Sequence, residues 1–296
     1  IIMQGGTLRQ KYPEIISKTK QVFFHQIAAF VLFQTSPLII YTYASLTLVA
    51  VYGNYMLIIT GVTLLMDALL RSINAGVGSL VAEGDKERIK KVFWELTSLR
   101  LWLASVVCFG IYKLGHSFII LWVGNDFLLE QSAFIVLIAI TFIGLSRTND
   151  TFLAAYGLFQ DVWAPVTEAV LNLGLSILLG YYYGLTGILS GVLISLLVIV
   201  CIWKPLFLYK CGFKENIGEY VIRLFKYLAL IAVSCISISW LGDCLFSNSF
   251  HSYGQWCLYA FKLLVLYTLF SLALFLCLDK ASRSYVIRFK LLLTKK

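Results

Sequence analysis

The sequence predicts an all-α polytopic membrane protein with about eight transmembrane helices, and three observations predict it. Hydrophobic residues fill 60% of the 296 positions and charged residues only 13%, with a mean hydropathy of +0.85; charged residues run near 25% in soluble domains. Apolar runs of about twenty residues, long enough to cross a hydrocarbon core of about 30 Å, alternate with short polar segments. The basic residues are also asymmetric: of 24 Lys and Arg, 21 fall in segments that alternation puts on one side. Four precede the first run, six lie within 71–100, five within 204–226 and six after 278, leaving Lys113, Arg147 and Lys262 as exceptions. The positive-inside rule places that side, and both termini, in the cytoplasm. It also accounts for the net charge of +9 without a nucleic-acid partner.

Residues 1–21 are polar and basic and read as a cytoplasmic lead-in; the chain opens Ile1, Ile2, Met3 with no signal-peptide pattern, which suggests a piece of a longer protein. The first span, 22–43, carries His25, Gln34 and Pro37, and the proline predicts a kink. The second, 47–70, runs into Asp67, Arg71 and Asn74, which spacings of four and three put on one helical face, either as a local surface ion pair or as a substrate contact. Residues 83–91, EGDKERIKK, form a polar helical linker on the cytoplasmic side. The third span is 99–122, and VGNDFLLEQ, with two acids and no base, makes an external turn. Spans four and five, about 132–156 and 162–182, are an antiparallel pair turning near 157–160. The sixth opens at GLTGILSG and runs to 208, with Gly187 and Gly191 as a small-xxx-small packing face. A basic linker at 209–223, two further spans at 224–241 and 255–278, and a basic tail at 279–296 complete the chain. The six spans of 22–208 read as one lobe, with the last two helices additional to it.

No GxSxG, HExxH, Walker A or GxGxxG pattern occurs, and His25, His116 and His251 lie far apart, so no enzyme activity and no cofactor are expected. The seven cysteines have no metal-ligand spacing, and most read as small buried hydrophobes. Cys244 and Cys257 flank one external loop, where a disulfide stays open against the odd total.

The stretch from Arg147 to Asn172, RTNDTFLAAYGLFQDVWAPVTEAVLN, sets Arg147, Asn149, Asp150, Glu168 and Asn172 in or beside two apolar helices. Counted from the turn, Arg147, Asp150 and Glu168 share a layer. Each ionised group at a helix centre in lipid costs roughly 2.5–3.5 kcal/mol, so these groups are expected to face one another or a hydrated cavity. Arg147 heads the candidate binding residues, since its planar fork of donors stays charged when desolvated. Asp150, Glu168 and Asn172 would orient it; Arg71 and Asn74 come next. An Arg147–Glu168 pair that merely locks the hairpin is the alternative.

Four stretches resemble one family: SLTLVAVYGNY from Ser45, SINAGVGSLVAEGDKERIKKVFWEL from Ser72, AAYGLFQDVWAPVTEAVLNLGLSILLGYYYGLTGILSG from Ala154, and WKPLFLYKCGF from Trp203. In this order, over roughly residues 22–218, they look like the C-terminal half of the Wzx-type lipid-linked oligosaccharide flippases. These belong to the polysaccharide transporter family, in the superfamily of the multidrug and toxin extrusion antiporters. The resemblance implies a two-lobed transporter of twelve to fourteen helices in the bacterial cytoplasmic membrane. It implies transfer of undecaprenyl-diphosphate-linked sugar repeats, O-antigen or capsule units, to the outer leaflet, with Arg147 meeting the diphosphate and Asp150, Glu168 and Asn172 orienting it, contacting sugar hydroxyls or binding a coupling ion. The first lobe has no counterpart here, so the implied partners are that missing N-terminal lobe, membrane lipids and the polysaccharide polymerase machinery. Rival expectations are a cation-coupled multidrug antiporter, which an arginine in the charged layer disfavours, a polymerase or acyltransferase of polysaccharide assembly, and a non-transporting assembly module.

Overall fold

A computed structural model describes residues 19–20, 23, 36–43, 45–245, 252–279 and 281–284; the side chains of residues 36–38, 71, 72 and 75 lie outside that description. The helices are α1 (Ser36–Tyr43), α2 (Leu46–Glu83), α3 (Lys86–Trp122), α4 (Gln131–Leu145), α5 (Thr148–Ala155), α6 (Trp163–Leu196), α7 (Lys204–Phe207), α8 (Gly218–Leu245) and α9 (Tyr253–Leu278). Wide π-type turns at Leu197–Trp203 and Leu208–Phe213 carry α6 through α7 without a break. No strand occurs among the described residues. Among the described residues six helical runs are long and apolar enough to cross a membrane. The longest, Trp163–Phe213, has 51 residues and reverses direction at Gly184, so the six runs make seven passes. Of the expected first span only Phe23 and Ser36–Tyr43 are described, with Pro37 in the first turn of the latter; His25 and Gln34 lie outside the described residues. This is an all-α, multi-pass membrane protein.

The reversal inside α6 has a local cause. Gly184 sits at φ 56°, ψ −137°, a conformation that costs glycine little and other residues much. The chain then returns along itself as a hairpin. A Cβ on Gly187 would lie 2.0 Å from the Leu179 carbonyl oxygen and one on Gly191 2.3 Å from the Ser176 amide nitrogen, so the two passes meet at backbone contact. Ser176 Oγ ties them further by donating to the Ile188 carbonyl at 2.9 Å. The small-residue face expected from Gly187 and Gly191 is therefore the seam of this hairpin. Gly191→Leu is expected to cost at least about 1–3 kcal/mol, because backbone cannot yield as a side chain can, and to deplete the protein from the membrane. Normal abundance of that variant on an immunoblot of isolated membranes would contradict the close packing.

Residues 83–91, expected as a helical linker, are helical apart from Gly84 and Asp85, and most of 209–223, expected as a basic linker, is helical as well. α2 and α3 are separated only by Gly84, at φ 80°, and Asp85, whose carboxylate accepts from the Arg88 amide. The later linker shrinks to the residues between Phe213 and Gly218, with Lys214 left-handed. Charge pattern marks where a helix leaves lipid, whereas α2 and α3, at about 56 Å each, continue well past it. Contacts sort the turns onto two sides: Lys90 pairs with Glu215 and Glu219 at one end, and Tyr253 donates to the Leu121 carbonyl at the other.

Two aromatic groupings fix the helices. At the basic end, fully buried Phe93 is ringed by Trp94, Phe152, Phe213, Tyr209 and Tyr220 at 5.1–6.3 Å, which clamps α5 and the start of α8 on α3. At the other end Tyr55 meets His116 and Phe134 edge-on. The two added helices pack through α3: Phe109 stacks on Tyr267 at 4.1 Å, and the Trp102 indole donates to Ser271. All seven cysteines are free, and Cys244 and Cys257 are exposed without a disulfide.

Candidate functional site

The fourth span is not one helix. α4 ends at Leu145, Ser146 and Arg147 leave helical geometry, with Arg147 at ψ 56°, and α5 begins at Thr148. The sequence SRTND explains the break, since Ser, Thr, Asn and Asp offer the backbone competing hydrogen bonds. Ser146 Oγ turns back to the Ile143 carbonyl at 3.2 Å, and the Thr148 amide donates to the Ser146 carbonyl at 2.8 Å. A break inside a membrane pass frees backbone groups that lipid cannot satisfy, so protein must.

Arg100 meets that need. Its guanidinium is buried and donates to the freed Arg147 carbonyl at 3.1 Å, to Asn74 Oδ1 at 2.8 Å and to Thr151 Oγ1 at 3.1 Å. It thereby binds α2, α3 and α5 together at the break. Thr151 also donates to Asn74 Oδ1 at 3.3 Å. On the adjoining side Lys204 Nζ pairs with Asp150 Oδ1 at 2.9 Å, which ties the second pass of the hairpin to α5.

Arg147 is held differently. Its Nη2 is 3.5 Å from Glu168 Oε1 and its Nε 3.7 Å from Asp150 Oδ2, whereas a formed guanidinium–carboxylate bond measures about 2.7–2.9 Å. Nε makes no hydrogen bond at all. Glu168 is 4% exposed while Arg147 is 26% and Asp150 30%, so the arginine stands at the open side of a carboxylate pair that one lysine already engages. Asp67, two turns along α2 from Asn74, lies within electrostatic range of Arg100, giving three bases and three acids in the neighbourhood.

The structure thus brings Arg147, Asp150, Glu168 and Asn74 into one cluster. Asn149 does not join it: buried, it donates to the Tyr220 hydroxyl at 3.0 Å and acts as a strut between α5 and α8. Asn172 lies one turn beyond Glu168 but is buried, with Ser176 Oγ at 3.4 Å, away from the open side. The Arg71 side chain lies outside the described residues. Arg100 and Lys204 were not expected here, because each stands at the end of an apolar run where the positive-inside rule already explains it. A usable signal lay in the neighbours of Arg100, since Thr97, Ser98 and Ser105 continue a small-polar stripe into the span.

At 1.5 Å per residue the cluster lies roughly 24–33 Å from the helix ends at Trp122, Gln131 and Gly184, and roughly 8–21 Å from those at Glu83, Lys86, Ala155, Trp163 and Phe213. It is nearer the basic end than the opposite one, on the basic side of the midplane, so the full central desolvation penalty does not apply. α2 and α6 flank it with lateral aliphatic surface, including Leu65, Leu69, Val166 and Val170. No group of three or more His, Cys, Asp or Glu among the described residues is placed to hold a metal ion.

Fold and site together define a multi-pass helical membrane protein with a charged cluster at a broken helix. No protein-family model matches the chain, and neither does any curated protein or solved structure.

Proposed function

We propose that the chain is the C-terminal part of a flippase for undecaprenyl-diphosphate-linked oligosaccharides, and that Arg147 meets the diphosphate. The observation that carries this reading is the slack in the Arg147 contacts. A pair built only as scaffold closes to a short bond, as Lys204–Asp150 does at 2.9 Å, whereas Arg147, its side chain 26% exposed, stands 3.5 and 3.7 Å from its carboxylates. Phosphate oxygens suit a planar guanidinium held so loosely. A broken helix beside the ion-handling groups is also how transporters expose polar backbone within a membrane.

On this reading Arg100 and Lys204 are positioning residues, which hold the break and engage Asp150. The basic turns face the bacterial cytoplasm, which puts the cluster in the inner half of the membrane, where a lipid-linked substrate is loaded. A lobe supplied elsewhere would cover the open side beside α2 and α6. Complementation tests the function: a host lacking its own exporter regains surface polysaccharide with the full-length transporter and not with its Arg147→Ala form. Orientation has its own test. A cysteine at Asn125 in a cysteine-free background is expected to react with an impermeant thiol reagent on intact cells, and one at Arg88 only after permeabilisation. The reverse pattern would overturn the orientation.

A further inference from the structure

Lys90, Lys91 and Arg223 stand at the basic end and take no part in the Arg147 cluster. They line a recess of about 360 Å³ between the first turns of α3 and α8, closed on a third side by Ala281 and Ser284 of the segment after α9. That volume is within the range of ligand pockets, about 300–1,000 Å³. Glu87, Trp94 and Glu219 complete the lining.

Pairing separates the three bases. Lys90 is fully engaged, with Glu215 at 2.7 Å and Glu219 at 2.8 Å. Arg223 is half used: its Nη2 pairs with Glu219 at 2.7 Å and its guanidinium carbon sits 4.7 Å from the centre of the Trp94 ring, while Nε and Nη1 have no partner among the described residues. Lys91 is exposed and makes neither a hydrogen bond nor an ion pair among the described residues. Glu219 is thus shared by two bases, and the acid left over, Glu87, stands farther out. Along α3 it is about 10 Å from Trp94, against about 4–5 Å for Lys91. At the depth of Trp94 the unused groups are therefore all basic donors.

Depth selects the source of the ligand. Ile222 and Phe225, on either side of Arg223 in the chain, are 73% and 68% exposed, whereas Lys214, Glu215 and Asn216 just ahead are exposed and polar. The recess therefore lies where α8 passes from the headgroup layer into hydrocarbon. A phosphate arriving there comes on a lipid, whose acyl chains continue along the apolar face of α8. Charge selects the kind of head. Residues 83–94, 214–226 and 279–284 carry nine bases and six acids, a surplus that draws anionic headgroups. An ammonium-bearing head finds no free acid at the depth of Lys91 and Arg223. We propose that this recess binds one anionic glycerophospholipid of the phosphatidylglycerol class, with its phosphate between Lys91 and Arg223. The proposal stands independently of the flippase reading.

The test is native mass spectrometry of the full chain released from detergent micelles, with phosphatidylglycerol, phosphatidylethanolamine or phosphatidylcholine added in equal amount. One phosphatidylglycerol is expected to stay bound in preference to either zwitterionic lipid. Lys91→Gln, at an exposed and unpaired position that does not threaten folding, is expected to weaken its retention up to about fivefold, the worth of one partly exposed charge pair. Adding Arg223→Gln is expected to abolish the preference. Arg88→Gln removes a base at the same end that is paired with Glu83 outside the recess, and is expected to leave retention unchanged. Equal loss in Arg88→Gln, or an unaltered preference in the double variant, would overturn the site, because the lipid would then answer to the general charge of this end. Equal retention of phosphatidylethanolamine, displacement by inorganic phosphate, or better competition by a polyprenyl phosphate would overturn the assigned occupant.

Discussion

Arg147→Ala is expected to abolish export of lipid-linked oligosaccharide while leaving the protein in the membrane. The two halves of that expectation have separate causes. Contacts of 3.5 and 3.7 Å at a quarter-exposed guanidinium resemble an exposed ion pair more than a closed one, and such pairs contribute about 0–1 kcal/mol. Asp150 keeps Lys204, and Glu168, left without its guanidinium, can take up a proton instead of staying charged. Abundance therefore should change little. Export should fail because a diphosphate loses a planar set of donors that the remaining lysine, engaged with Asp150, does not replace. Arg147→Lys should recover part of the activity, since a point charge attracts phosphate without matching it bidentately. Surface polysaccharide scored beside membrane abundance checks both halves, and full export by Arg147→Ala would remove this residue from the site.

Arg100→Ala is expected to behave in the opposite way and to deplete the protein itself. Three hydrogen bonds from a buried guanidinium hold the carbonyl freed at the helix break, Asn74 and Thr151. Hydrogen bonds from charged groups are worth about 1.5–3 kcal/mol, and breaking a buried charged network costs about 3–5. The loss is a large part of a domain's total stability. Arg100→Lys keeps the charge but spans fewer of the three acceptors, so it should fall between wild type and alanine. Thermal unfolding of detergent-solubilised protein, followed together with membrane abundance, measures the effect. A wild-type melting profile for Arg100→Ala would show that something else sustains the break.

This contrast marks what was legible beforehand. Hydrophobic runs and charge asymmetry report where a chain meets lipid, and they placed the spans and the Arg147–Glu168 layer. The meeting of Gly187 and Gly191 with 175–179 was readable because small residues four apart allow backbone approach. The break at Ser146–Arg147 was not read, although SRTND contains its cause, because the apolar average over 132–156 hid a local competition for backbone hydrogen bonds. Arg100 and Lys204 escaped for a related reason. A base at the end of an apolar run looks like a snorkelling anchor, and only the continuation of α3 back to Lys86 shows Arg100 to be interior. Asn149 failed the other way. Its polar neighbours suggested a site, while helical phase points it to Tyr220.

The central claim is that the Arg147 cluster binds substrate and is not only a lock on the hairpin. The most direct measurement is the double change Arg147→Met with Glu168→Leu, scored for surface polysaccharide and membrane abundance in the same cells. A pair this loose contributes about 0–1 kcal/mol, and Glu168→Leu leaves no buried carboxylate without its partner, so the double variant should be abundant. With the guanidinium gone it should nevertheless export nothing. Normal export by an abundant double variant would contradict the claim, for it would show Arg147 and Glu168 to be scaffold.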